Sequence, residues 1–235
     1  MLKHLLIAST LLVAASTLTY ADDLKINRLI SLTGHGEVHA VPDIAFVTLG
    51  VSNFGKTARE ALDANTKAMT NLMATLKAAN IAPKDIATSN FSVGPRYDNG
   101  QNNGQPLKIV GYEVSNSVTT TVRKIDGLGE ILDKAVSSGS NQINSISFSI
   151  ANPQSAMDDA RKLAVADAQR KAKLYETNAA FTLGNIVSLS ENGGGVVEPQ
   201  MQMRAKMMAA DAAPVPIAQG EQVIMADVNI TWEIK

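Results

Sequence analysis

Apolar side chains recur every second residue in some stretches of this chain and every third or fourth in others, and the changes of period mark out its elements. Ile30 to Ala40 alternates as a strand does, and Pro42-Asp43 breaks the pattern. Ile44 to Ser52 predicts a second strand, with Ile44, Phe46, Thr48 and Gly50 on one face and Ala45, Val47, Leu49 and Val51 on the other. Apolar residues on both faces predict a strand covered on both sides. From Thr57 to Ala79 the period becomes helical: Ala61, Leu62, Ala68, Met69, Leu72, Met73 and Leu76 would bury one face. Thr57 and Glu60 have capping-box spacing, Asn80 suits a left-handed C-terminal position, and Pro83 stops continuation.

Asp85 to Tyr97 and Leu107 to Val122 predict two long strands, the second rich in Val and Thr. Between them the polar, turn-forming run 98–106 reads as the mobile tip of an extended hairpin. Arms of this length exceed the usual five or six residues and call for a partner chain or sheet edge to cover them. Ile125 to Ser138 predicts a short helix with Asp126 as N-cap and Gly139 at its end. Ile143 to Ile150 alternates, with Ile146, Phe148 and Ile150 opposite Ser145, Ser147 and Ser149. Ser155 to Ala180 is the longest predicted helix, with Ala156, Ala160, Leu163, Ala164, Asp167, Ala168, Lys171 and Leu174 along one side. Its small residues would allow close approach to a sheet or another helix. Asn185 to Glu191 and Glu221 to Ile234 read as strands, and 192–219 as an irregular, mobile segment. The order β-β-α-β-β-α-β-α-β-β indicates an α+β fold: helices on one face of a largely antiparallel sheet, with a long hairpin arm. No sequence repeat is evident.

The N-terminus departs from this pattern. Lys3 and His4 precede a run from Leu5 to Leu18 with no acidic residue, and Thr19-Tyr20-Ala21 sets small residues at the positions of a cut after Ala21. Charge, apolar run and cut site in that order predict a cleavable secretory signal over residues 1–21. The run is shorter than the roughly 20 residues a bilayer requires. Residues 22–235 would then be an exported domain, long enough for one sizeable core or two close lobes. The 235-residue chain has no cysteine, which removes disulfides, thiolate nucleophiles, Cys-zinc sites and a lipoprotein anchor. Its formal net charge of −1 gives no footprint for nucleic acid. Aromatic content of 4% argues against the girdles of an outer-membrane barrel.

Candidate chemistry is sparse. His35, Glu37 and His39 share one face of a strand. Four residues of strand separate the two imidazoles by about 13 Å, too far for both to reach one zinc ion at about 2.1 Å without a bulge. A solvated strand face is the better reading. No G-x-S-x-G or H-E-x-x-H pattern occurs. Gly193-Gly194-Gly195 leads into Val-Val-Glu-Pro and not into the helix start that a phosphate cradle needs. Asp158-Asp159 falls in a predicted first helical turn, where a carboxylate steadies the helix dipole. Met201, Met203, Met207 and Met208 form the one soft-ligand cluster. Their thioethers suit Cu(I) or reversible oxidation, and equally an adaptable packing surface. The residues therefore assign no catalytic, cofactor or metal site.

Several blocks carry a resemblance. Gly34-His35-Gly36-Glu37-Val38-His39-Ala40-Val41-Pro42-Asp43 resembles an opening G-x-G-x-V-x-A-x-P-D. Asp85-Ile86-Ala87-Thr88, Pro95-Arg96-Tyr97, Gly111-Tyr112-Glu113-Val114-Ser115-Asn116 and Leu128-Gly129 through Gly139-Ser140-Asn141 follow in order. Asp167-Ala168 with Lys171-Ala172, then Pro216-Ile217, Gly220-Glu221 and Trp232-Glu233, complete the set. On these motifs, from about residue 28 to 235, the chain resembles the SIMPL-domain (YggE-like) family of bacterial envelope proteins. The resemblance implies a non-enzymatic protein of the periplasm or associated with the outer membrane, linked to oxidative and envelope stress, with some members strong antigens. It carries over no catalytic residues. His35 and His39 occupy variable positions, Ala180-Phe181 stands where glycine is common, and the Met-rich, Pro-ended loop is a family feature. Together these readings predict a homo-oligomer, a ring or channel-like assembly that hides the hairpin and the open sheet edges.

Overall fold

The first two strands, separated by Val41-Pro42-Asp43, do not pair with one another. Strand β1 (Leu29–Ala40) instead pairs with the last strand, β7 (Gln222–Ile234), Leu29 opposite Glu233. In this computed structural model, which describes residues 28–98, 106–197 and 217–235, that choice divides the strands between two antiparallel sheets.

The three-stranded sheet has the order β1-β7-β6, with β6 at Leu183–Val197. One helix, α3 (Gln154–Asn178), lies on it. The four-stranded sheet has the order β3-β4-β2-β5, with β2 at Ile44–Gly55, β3 at Ile86–Tyr97, β4 at Ile109–Val122 and β5 at Gln142–Ser149. It carries α1 (Ala58–Ala78) and α2 (Leu128–Ser137). The α+β class and element order follow the sequence expectation, but two sheets replace the single expected one. Ties at the crossings hold them together. The Asp43 N–H donates to the Ser149 carbonyl at 3.1 Å, the Ala151 N–H donates to the Asp43 carboxylate at 2.7 Å, and Gln222 Nε2 donates to the Phe148 carbonyl at 2.6 Å.

Each sheet has its own core. Ala45, Val47, Leu49 and Val51 of β2 meet Met69, Leu72 and Leu76 of α1 and Leu128, Leu132 and Ala135 of α2. Burying each such leucine contributes about 1.5–3 kcal/mol. On the other sheet Ala160, Ala164, Ala168 and Ala172 meet Ile224, Ala226, Val228, Ile230 and Trp232. Asn65 sits on the apolar stripe of α1 and is buried; its Nδ2 donates to the carbonyls of Val51 at 2.8 Å and Val114 at 3.0 Å, which satisfies it and fixes the helix to two strands.

Local signals act as expected at α1. The Glu60 N–H donates to Thr57 Oγ1, the Glu60 carboxylate accepts from the Thr57 N–H, and Asn80 ends the helix at φ 62°. Elsewhere the structure differs from expectation. The Phe46 face of β2 is only partly covered, because all the helices of this sheet lie on the other side. A single 3-10 turn, Ile125–Gly127, precedes α2, so Gly127 is the N-cap and Asp126 caps nothing. Leu163 and Leu174 of α3 are about half exposed, and only the alanines are fully buried. β6 continues through Gly193-Gly194-Gly195 to Val197, where an irregular segment was expected; ladder irregularities absorb the glycines. After α3, Ala180 keeps the left-handed backbone, at φ 53°, that glycine would adopt more easily. The predicted signal over residues 1–21, most of the 98–106 tip and the four loop methionines fall outside the described residues.

Candidate functional site: an uncovered hairpin arm and an obstructed sheet edge

Gly34 and Gly36 face α3 so closely that no side chain fits. A Cβ on Gly34 would stand 2.0 Å from the Ala164 carbonyl oxygen, and one on Gly36 would stand 1.9 Å from that of Ala160. Glycine on the strand and alanine at every fourth helical position form one joint. The closeness brings the polar flank of α3 to the outer edge of β1, which no strand covers among the described residues. There the Asp167 carboxylate accepts the His35 N–H at 3.0 Å and the Lys171 ammonium donates to the Thr33 carbonyl at 2.8 Å. Lys171 and Arg170 also pair with Asp167, at 2.7 and 2.6 Å. Lys171, the His35 N–H and Arg170, in that order, hold the Asp167 carboxyl far below the usual carboxylate range. These side chains occupy two of the backbone groups that an added strand would need, and so obstruct the edge at its middle.

The sequence-selected histidines lie on the opposite, solvent-facing side of β1. His35 Nδ1 is 2.6 Å from the Asp227 carboxylate. His39 lies 2.9 Å from Glu37 and 3.7 Å from Glu221. Each imidazole thus has its own carboxylates, and no three His, Cys, Asp or Glu side chains among the described residues are arranged to hold a metal. Ser31, Thr33, Asn229 and Thr231 extend the same face as a hydrogen-bonded hydroxyl and amide ladder. Asp158 and Asp159 lie beyond the first turn of α3, contrary to expectation, because the helix begins at Gln154. They pair with Arg161 and Lys162 three residues on, and Arg161 reaches across to Glu191 of β6.

The hairpin of β3 and β4 contrasts with that obstructed edge. Its pairing sets Phe91 opposite Asn116, Val93 opposite Val114 and Tyr97 opposite Ile109. Phe91 is 54%, Val93 46%, Tyr97 42% and Ile109 47% exposed, and Leu107 and Val110 beside them are also exposed. The outer edge of β3 has no strand partner among the described residues. On the other face of the arm Gly111 lies against the Phe54 ring, where a Cβ would come within 2.3 Å. The Arg96 guanidinium lies 5.9 Å from that ring and 3.9 Å from the Glu113 carboxylate, which accepts from Ser52. The Pro95-Arg96-Tyr97 and Gly111–Asn116 motifs therefore meet on one arm.

Other motifs also find their partners. Asp85 takes a two-pronged contact from Arg123, at 2.7 and 3.1 Å, which draws its carboxyl below the usual range. Gly139 turns at φ 117°, and the Asn141 side chain bonds the Ser52 backbone through both its oxygen and its nitrogen, at 2.8 and 2.7 Å. Sequence reading missed Asn65 and Gln222; the spacing Ala61, Asn65, Met69, Leu72, Leu76 was the available signal for the first.

Comparison with known proteins agrees with these motif positions. Residues 30–232 match the family described as SIMPL, protein of unknown function (DUF541). The chain is 38% identical over 215 residues to the 26 kDa periplasmic immunogenic protein of Brucella melitensis, covering 88% of this chain and 84% of that one. It is 33% identical over 195 residues to the uncharacterized protein YggE of Escherichia coli K12, covering 83% and 77%. A YggE protein of Edwardsiella ictaluri is 29% identical over 196 residues, covering 83% and 81%. With the family match spanning both sheets and all three helices, the chain belongs to the SIMPL family.

Proposed function

We propose that this protein is a non-catalytic, self-assembling component of the bacterial envelope, exported by residues 1–21 and working in the periplasm. The observation that carries this reading is the hairpin arm, which presents Phe91, Val93, Tyr97, Ile109 and neighbouring apolar side chains to solvent beside an open strand edge. Contiguous exposed apolar surface of this kind marks an interaction face. A second copy is the natural occupant, because a ring closed by symmetry covers the same face on every subunit. The name of the Brucella relative, a periplasmic immunogenic protein, supports the compartment and an antigenic surface. No helix among the described residues is long and apolar enough to cross a membrane. Peripheral association with the outer membrane and a contribution to oxidative or envelope stress tolerance belong to the same reading.

Light scattering on residues 22–235 across the micromolar range tests it. The expected result is a species of several chains that shifts toward monomer when Phe91→Ser, Val93→Thr and Ile109→Thr are combined. A wild-type protein that stays monomeric throughout sinks the proposal.

A further inference from the structure

A cavity of about 370 Å³ opens where the end of α1, the turn Pro83–Asp85, the end of β4 and α2 meet. That volume lies at the lower end of the range that holds small ligands. We propose that it binds a medium-chain amphipathic carboxylate, tail inward.

Its apolar wall is built from Ile81, Ala82, Val122 and Ile131. Ile81 and Val122 belong to the core of the four-stranded sheet, which makes this wall a fixed surface. The charged residues of the lining are Lys84, Asp85, Arg123 and Lys124. Asp85 and Arg123 neutralise one another through their two-pronged contact. Lys84 and Lys124 have no hydrogen-bond or ion-pair partner among the described residues, and neither does the Asn80 side-chain amide. The lining therefore carries three positive charges against the one carboxylate of Asp85, on which Lys84 also acts, with an amide donor beside an apolar wall; that combination is complementary to a carboxylate with a hydrocarbon chain. The negative end of α1 points the same way, but its last carbonyls are already taken. Thr75 accepts from the Ala79 N–H, Lys77 from Asn80 and Leu76 from Ile81, which blunts the repulsion an anion would meet there.

Decanoate below its micelle concentration is the probe, followed by methyl NMR on the full chain, with decanol as the uncharged control. Decanoate should shift the methyl signals of Ile81, Ala82, Val122 and Ile131. Lys84→Glu with Lys124→Glu should weaken decanoate about tenfold or more and leave decanol unchanged. Ile131→Trp, which fills the cavity, should abolish both. Shifts confined to Val93, Ile109 and Val110 on the hairpin arm, equal decanoate affinity in the lysine variant, or no shifts at all would overturn the assignment.

Discussion

Helix α3 presents only alanines to its sheet and meets glycines on β1, whereas α1 and α2 meet theirs through leucines, valines and methionine. Small residues bring backbone to backbone, and side chains on the flank of α3 can then reach past β1 and occupy its free N–H and C=O groups. Larger residues bury more apolar area per position but leave the helices over β2 and the base of β4, so the far part of the hairpin extends beyond cover. One sheet edge is obstructed by the same contacts that hold its helix down; the hairpin arm has no such contacts along the edge of β3 among the described residues.

The sharpest way to break this contrast is Gly34→Val. Valine favours strands by less than about 1 kcal/mol, but here its Cβ would enter the backbone of α3, and a loss of at least about 3 kcal/mol is expected. Gly94→Ala on the hairpin arm, where a Cβ meets nothing within 4 Å, should change stability by less than about 0.5 kcal/mol. Urea denaturation of both variants reads the difference. Leu72→Ala should cost about 3 kcal/mol in the same assay, through the cavity it leaves in the larger-residue core.

Asp167→Asn sharpens the comparison through pH. The folded pKa of Asp167 is depressed, so its contribution is complete above the ordinary aspartate value of about 3.9 and disappears as pH falls through the folded value. The gap in urea midpoint between wild type and variant should stay constant from about pH 6 to 8 and close in strong acid. A gap independent of pH down to the acid limit counts against the Asp167 contact. A modest effect of the opposite sign is expected from Ala180→Gly, which should stabilise by about 0.5–1 kcal/mol because it relieves a left-handed alanine; a thermal melt suffices.

Local features were legible in the sequence because local chemistry writes them. Thr57 and Glu60 cap α1, Asn80 turns left-handed and Gly139 ends the short helix, as short-range hydrogen bonding and steric rules require. The division into two sheets was not legible, since it depends on β1 finding β7 across nearly the whole chain. Periodicity put Leu163 and Leu174 on the same side as the alanines but could not show that they stay half exposed: the alanine stripe set the helix so close that only the smallest residues fitted beneath it. For the candidate site, the long hairpin and its need for cover were visible as two Val- and Thr-rich arms. The obstructing pair Asp167 and Lys171 was visible only as a motif, because its targets are backbone groups that carry no side-chain signature.

The pairing of the first strand with the last also has a consequence in time. The four-stranded sheet and its two helices come from one continuous stretch of chain, complete once Ser149 has been made. Strand β1 emerges before all of it, yet neither α3, which will obstruct its outer edge, nor β7, its ladder partner, exists until much later. Its inner N–H and C=O groups wait through the synthesis of almost every other element. The three-stranded sheet is therefore the late-folding part, closing only when the C-terminal strand arrives, with the high contact order and slow rate that such distant pairing entails. A chain stopped short of Gln222 would carry a finished four-stranded sheet trailing an orphan strand, so truncation at the C-terminus exposes a segment made at the very beginning.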